Sequence, residues 1–195
     1  MSKCNLEIVY TNIEWAEKIT QAEKDCVRWL KERENIFKNK IALDIGIGAS
    51  HFQKELCSIF SRIDGLTVID EEIKVGQSLG DINYHILKQN KYNTISLDSA
   101  LLPEYDAVVD VNPKQYGCCH AHWEEYFLYI LTKVKDTGVF LTHTTGFGCY
   151  EGFRTEQLSI EELTILSSRQ GMTIKTYPSP VRENHNIVAI GRHGR

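Results

Sequence analysis

Residues 41–50 read Ile-Ala-Leu-Asp-Ile-Gly-Ile-Gly-Ala-Ser, an apolar run that closes on an acid and then places glycine at two alternate positions. A short apolar run bounded by glycine reads as a buried strand passing into a tight turn. Gly46 and Gly48 have no Cβ, so the backbone there can take positive φ and lie directly against a ligand. A helix expected from Ser50 onward would aim backbone N–H groups at whatever occupies the turn. Turns of this kind also occur without ligands, so the rest of the chain decides the reading.

The chain alternates. Apolar residues Trp15, Ile19, Ala22, Cys26, Trp29 and Leu30 recur at steps of three and four, which predicts an amphipathic helix before the first strand. Phe52, Leu56, Ile59 and Phe60 share a face over residues 51–61, a helix behind that strand. Leu66–Ile69 is the expected second strand, ending at Asp70, and Asn93–Leu97 the third, ending at Asp98. Asp106–Val111 is the fourth, apolar on both faces as buried parallel strands are. A helix over His122–Val134, stopped by Asp136-Thr-Gly138, leads to a fifth strand, Val139–His143. A further helix over Thr155–Gln170, with Ser159 as N-cap and Glu162 three residues on, precedes two consecutive β-like runs, Met172–Tyr177 and Asn186–Ile190. The expectation is an α/β fold with a seven-stranded, mostly parallel sheet, helices on both faces, and an antiparallel C-terminal edge strand. Residues 1–195 are expected to form a single domain, with 1–40 a helical arm offering core packing, a cap over the crevice or a homodimer face.

Bulk properties narrow the function classes. A net charge of −4 argues against nucleic acid as the main partner. The opening residues lack the apolar stretch of a secretion signal, and no run nears the ~20 apolar residues of a membrane span, so a cytoplasmic protein is expected. The six cysteines form no Cys-x-x-Cys pair and are expected to be small buried hydrophobes.

In this sheet Asp44, Asp70, Asp98 and Asp110 would all reach the carboxyl rim of the strands. Four carboxylates at one crevice repel one another unless a ligand with hydroxyls, an amine and a positive charge faces them. An acid after the second strand is placed to accept from ribose hydroxyls, and one after the third from an exocyclic amine.

From about residue 40 to 191 this pattern resembles the class I S-adenosylmethionine (SAM)-dependent methyltransferases, a Rossmann-like family. Their acid-x-Gly-x-Gly-x-Gly loop is matched by Asp44-Ile-Gly46-Ile47-Gly48-Ala-Ser50, with Ser50 in place of the third glycine. The resemblance implies that Asp44, Gly46, Ile47, Gly48 and Ser50 cradle the methionine end of SAM. It gives the ribose to Asp70 with Glu71 beside it, and the adenine to Asp98 with Ser99. Tyr105–Asp110 corresponds to the fourth motif, where Asp110 and Asn112 are counted with the cofactor-binding set. The expected products are a methylated acceptor and S-adenosylhomocysteine (SAH).

The acceptor is read from fewer signals. His120, His122 and His143 gather near the mouth after strands four and five, and neutral imidazole suits the base that an oxygen acceptor requires. Methyltransferases acting on small-molecule oxygens often carry His-x-Trp here; this chain has His120-Ala-His122-Trp123. The same histidines with Asp110 could ligate a metal, but no acid pattern supports that, and no metal is expected. Asn112-Pro113 is similar to the start of the Asn-Pro-Pro-aromatic motif of base methyltransferases, with Lys114 and Gln115 in its last two positions. The expected partner is a small-molecule acceptor methylated on oxygen. The alternatives are a non-catalytic SAM- or nucleoside-binding protein and an NAD-dependent oxidoreductase, whose Gly-x-Gly-x-x-Gly would need glycine where His51 stands.

Overall fold

The computed structural model describes residues 19–114, 119–147 and 158–192. Expectations for Cys4, Trp15, Gln115, Cys118, Cys149 and the start of the helix at Thr155 fall outside these residues. Seven strands form one sheet in the order β3-β2-β1-β4-β5-β7-β6. They are β1 (Lys40–Ile45), β2 (Phe60–Thr67), β3 (Tyr84–Lys88), β4 (Tyr105–Val109), β5 (Val134–His143), β6 (Thr173–Pro178) and β7 (Asn186–Gly191). Strands β1 to β5 run parallel, and β7 lies antiparallel between β5 and β6. The direction of winding reverses between β1 and β4, the point where a sheet of this kind opens its crevice.

One face of the sheet packs α6 (His120–Thr132) and α7 (Ile160–Ser168) over a core with Trp123, Phe127, Phe140 and Leu163 at its centre. On the other, α1 (Gln21–Lys31), the short α2 (Glu34–Phe37) and α3 (His51–Leu56) bury Leu30, Phe37, Phe52 and Leu56. Thr20 caps α1 by accepting from the Glu23 amide at 3.1 Å, and Ser159 caps α7 by accepting from Glu162 at 3.0 Å. Among the described residues no helix is long and apolar enough to cross a membrane.

Several boundaries depart from the sequence pattern for identifiable reasons. The helix expected over 51–61 stops at Leu56 because Ile59 and Phe60 pair with the start of β1; the Asn39 amide donates to Ile59 O at 2.8 Å. The second strand therefore begins at Phe60 and ends at Thr67, short of the expected Ile69. Its pattern was hidden by Arg62 and Asp64, which neutralise each other inside the strand at 2.7 Å while Tyr105 donates to Asp64 at 2.7 Å.

Asn93–Leu97 is not the third strand. Thr94–Ser99 forms α5, and the third strand is Tyr84–Lys88, with α4 (Asp70–Ser78) preceding it. At the sheet edge its residues are mostly half-buried, so they lack the continuous apolar run that marks the central strands. Residues 136–138 do not end a helix but lie within β5, where Gly138 passes so close to β4 that a Cβ would sit 2.8 Å from Tyr105 O. Of the described cysteines Cys26 is buried, Cys119 half-buried and Cys57 exposed, the last contrary to expectation because it lies just past the end of α3.

Candidate cofactor and acceptor site

The glycine turn leaves β1 at Ile45, beside β4. Gly46 takes φ 81° and Gly48 φ 48°. Ser50, in the position of the third glycine, also sits in the left-handed region at φ 53°, which explains why glycine suits that place. Its buried hydroxyl lies 3.3 Å from Tyr84 Oη, the donor of the pair.

The amides of this turn do not all face open space. The Gly48 amide lies near enough to the Glu72 carboxylate, and the Phe52 amide to that of Glu23, to favour the charged form of each. Glu72 also accepts from Thr67 Oγ1 at 2.5 Å and is buried. Asp44, 5 % exposed, completes a group of three carboxylates from three separate elements, and its Oδ2 has no hydrogen-bond partner. Burial pushes the Asp44 carboxyl well above its ordinary range, and the charges of Glu23, Glu72 and Asp110 push it further. Burial likewise lifts Glu23 to about 7, a rise to which Glu72 adds, and burial raises Glu72 against the pull of its donors. An unmet carboxylate in such company favours an added cation.

Asp70 opens α4 at the surface, where Lys88 Nζ bonds it at 2.6 Å and each side chain is more than half exposed. Glu71 follows, half-buried. The inward-facing acid of this turn is Glu72, two residues beyond the one marked by the sequence. Asp98 lies exposed on α5, close enough to Tyr129 of α6 to raise its hydroxyl's pKa after burial has done so. Asn93–Leu97 is not a strand, so Asp98 and Ser99 sit on α5 and not at a strand end; the loop after the real third strand is Gln89–Tyr92.

That loop brings Lys91 to the end of β4. Its Nζ donates to Asp110 Oδ2 at 2.8 Å and to Asn112 O at 2.7 Å. Tyr126 of α6 donates to the same Asp110 oxygen at 2.6 Å, and the Asn112 amide to Oδ1 at 3.1 Å. Burial lowers the Lys91 pKa despite the attraction of Asp110. Gly146, in a 3-10 turn over Thr144–Phe147, presses against this loop: a Cβ there would lie 1.9 Å from Val111 O.

The three histidines do not converge as one group of bases. His120 is exposed, with Nε2 3.2 Å from Glu162 Oε1, and His122 Nδ1 lies 3.4 Å from Cys119 Sγ. His143 is fully buried. Its Nδ1 accepts from the Thr145 amide at 3.2 Å, and its Nε2 stands 3.5 Å from Asp25 Oδ2. Burial lowers its pKa, outweighing the pull of Asp25. Asp25 is itself buried on α1 and accepts from Gln21, Arg28 and, at 2.5 Å, Ser179, so His143 joins a network tying α1 to the far end of the sheet. Among the described residues no group of three His, Cys, Asp or Glu is arranged to hold a metal.

Nothing in the sequence marked Glu23, Glu72 or Lys91. Glu23 and Glu72 have the spacing of ordinary helix charges, and Lys91 sits in a polar loop whose strand was itself missed.

No family model matches the chain, and neither does any curated protein. Solved structures do. The fold is similar to an rRNA methylase from Streptococcus thermophilus (TM-score 0.58, 14 % identity, covering 89 % of this chain and 98 % of that one). It is also similar to the magnesium protoporphyrin IX methyltransferase of Synechocystis PCC 6803 with bound SAM (0.60, 13 %, 93 % and 88 %). An O-methyltransferase family protein from Burkholderia thailandensis matches at 0.60 and 10 % identity, covering 85 % of this chain and 57 % of its own. The chain thus has the Rossmann-like fold of the class I methyltransferases.

Proposed function

We propose that this protein binds SAM and transfers its methyl group to an oxygen of a small acceptor. The observation that carries the reading is Asp44: a buried carboxylate with an unpartnered oxygen, beside a glycine turn, at the switch point of a methyltransferase-type sheet. Asp44 and its neighbour Glu23 suit the cationic amino group of SAM, and Gly46, Ile47, Gly48 and Ser50 shape the turn against its methionine end.

For the ribose, Glu72 takes precedence over Asp70, since it is buried and held by Thr67 while Asp70 is engaged with Lys88 at the surface. Asp110 and Asn112 line the methyl-transfer side. When bound, SAM supplies an activated methyl on a sulfonium; the protein's part is to align the acceptor and keep water away. His120 and His122 remain on the rim as candidates to orient an acceptor or take its proton. His143, fully buried, serves that side only through the loop that it supports. A second reading, binding without transfer, draws on the engagement of all three imidazoles by Glu162, Cys119 and Thr145.

Calorimetry with SAM, SAH and NAD separates these readings. SAM and SAH are expected to bind and NAD not. Asp44→Asn and Glu72→Gln are each expected to weaken SAM by about tenfold or more, as loss of a charge-assisted contact does, while Asp70→Asn leaves it nearly unchanged. NAD binding without SAM would refute the proposal. SAM binding with no SAH formed from simple phenols and carboxylic acids would favour the binder.

A further inference from the structure

Lys91 is a buried cation that the cofactor-binding residues do not account for. A lysine ammonium has three N–H donors. Two are spent inward, on Asp110 Oδ2 and the Asn112 carbonyl. Its charge lies near two aromatic rings, with Nζ 5.3 Å from the Tyr92 ring centre and 5.4 Å from that of Tyr126. Asp110 is the floor of this arrangement. It is 1 % exposed, and its two oxygens already accept from Lys91, Tyr126 and the Asn112 amide. The lysine is the upper member, with 13 % of its side chain still exposed at the end of β4. An ion pair that merely pinned the loop could be replaced by apolar side chains at little cost, whereas Lys91 keeps part of its side chain exposed and has a third N–H beyond its donations to Asp110 and Asn112.

We propose that Lys91 is the acceptor-binding cation of this site, and that it donates its third N–H to an anionic oxygen of a small acceptor. The inference rests on the methyl-transfer reading and deepens it. It names the acceptor class as a molecule bearing a carboxylate or an ionised hydroxyl, and it disfavours cationic amines, which would meet the ammonium head-on.

The test uses full-length protein labelled with 15N at the lysine side-chain nitrogens and loaded with SAH, loading being verified first by calorimetry. Benzoate, benzamide and benzylamine serve as anionic, neutral and cationic probes of one shape. The Lys91 resonance, assigned by its absence in Lys91→Gln, is expected to move saturably with benzoate and to stay in place with benzylamine. Benzoate affinity is expected to fall about tenfold in Lys91→Gln and to be largely kept in Lys91→Arg, with SAH affinity unchanged in both. The proposal is overturned if benzoate leaves the resonance unmoved, if benzamide or benzylamine binds as well as benzoate, or if Lys91→Gln binds benzoate normally. It is overturned equally if Lys91→Gln loses SAH, which would place the lysine on the cofactor. Failure of SAH to load the wild-type protein is a separate result, seen before any probe is added, and removes the transferase reading together with this one.

Discussion

Replacing Glu23 with glutamine is expected to stabilise the protein at alkaline pH and to leave it unchanged in acid. The carboxyl stands in the first turn of α1, raised from 4.5 to about 7 chiefly by burial, with the charge of Glu72 adding and Lys24 opposing. A carboxyl held above its unfolded value binds its proton more tightly in the folded protein. Its favourable contribution is therefore complete below about pH 4.5 and is lost as pH rises through about 7. The interval of two and a half pH units, at about 1.36 kcal/mol each, caps the effect near ~3.4 kcal/mol. The residue is only partly buried, and solvent screening brings the expected figure to ~1–2 kcal/mol. At ~2–4 °C per kcal/mol for a chain of this size, Glu23→Gln should raise Tm by ~2–8 °C at pH 8 and by almost nothing at pH 5. Circular dichroism melts at the two pH values measure this directly. An equal shift at both, or a lower Tm at pH 8, would refute the account of a carboxyl raised by burial and by the charge of Glu72.

Two further outcomes follow from the same geometry. Asp25→Ala takes a buried carboxylate away from four partners, including Ser179 and His143, and should cost ~1–3 kcal/mol in urea unfolding; a loss under ~1 kcal/mol would show that the network does not hold α1. Gly146→Ala drives a methyl group into the Val111 carbonyl and should cost ~1–3 kcal/mol, with faster amide exchange over residues 110–112; unaltered exchange there would show that the turn yields without disturbing the β4 loop.

What could be read from the sequence was whatever depends on neighbours a few residues apart. The β1 run, the glycine turn, the general alternation of strands and helices and the Ser159 cap all carry their signal locally, and the fold class follows from them. Edge strand β3 was not legible, because a strand with one open side alternates weakly, and the loss propagated: once the third strand was misplaced, so was the loop after it, and Lys91 went unseen in favour of Asp98. The choice among Asp70, Glu71 and Glu72 turns on where β2 ends. A strand that stops at Thr67 lets the chain enter α4 earlier and swings the third acid inward, which no spacing rule could have supplied. The role of His143 depends on Asp25, 118 positions away in the chain, a pairing fixed only by tertiary packing.

Strand β7, the latest in chain order, is an interior strand, and β6 touches the sheet through it alone. The sheet therefore cannot be assembled in the order of synthesis. While β7 is still missing, β5 exposes an open edge whose Phe140–His143 backbone has no partner on that side, and β6 has nothing to join. Such an edge is where nascent chains stick to one another. β6 and β7 can join the sheet only together, as a hairpin whose antiparallel pairing closes the β5 edge.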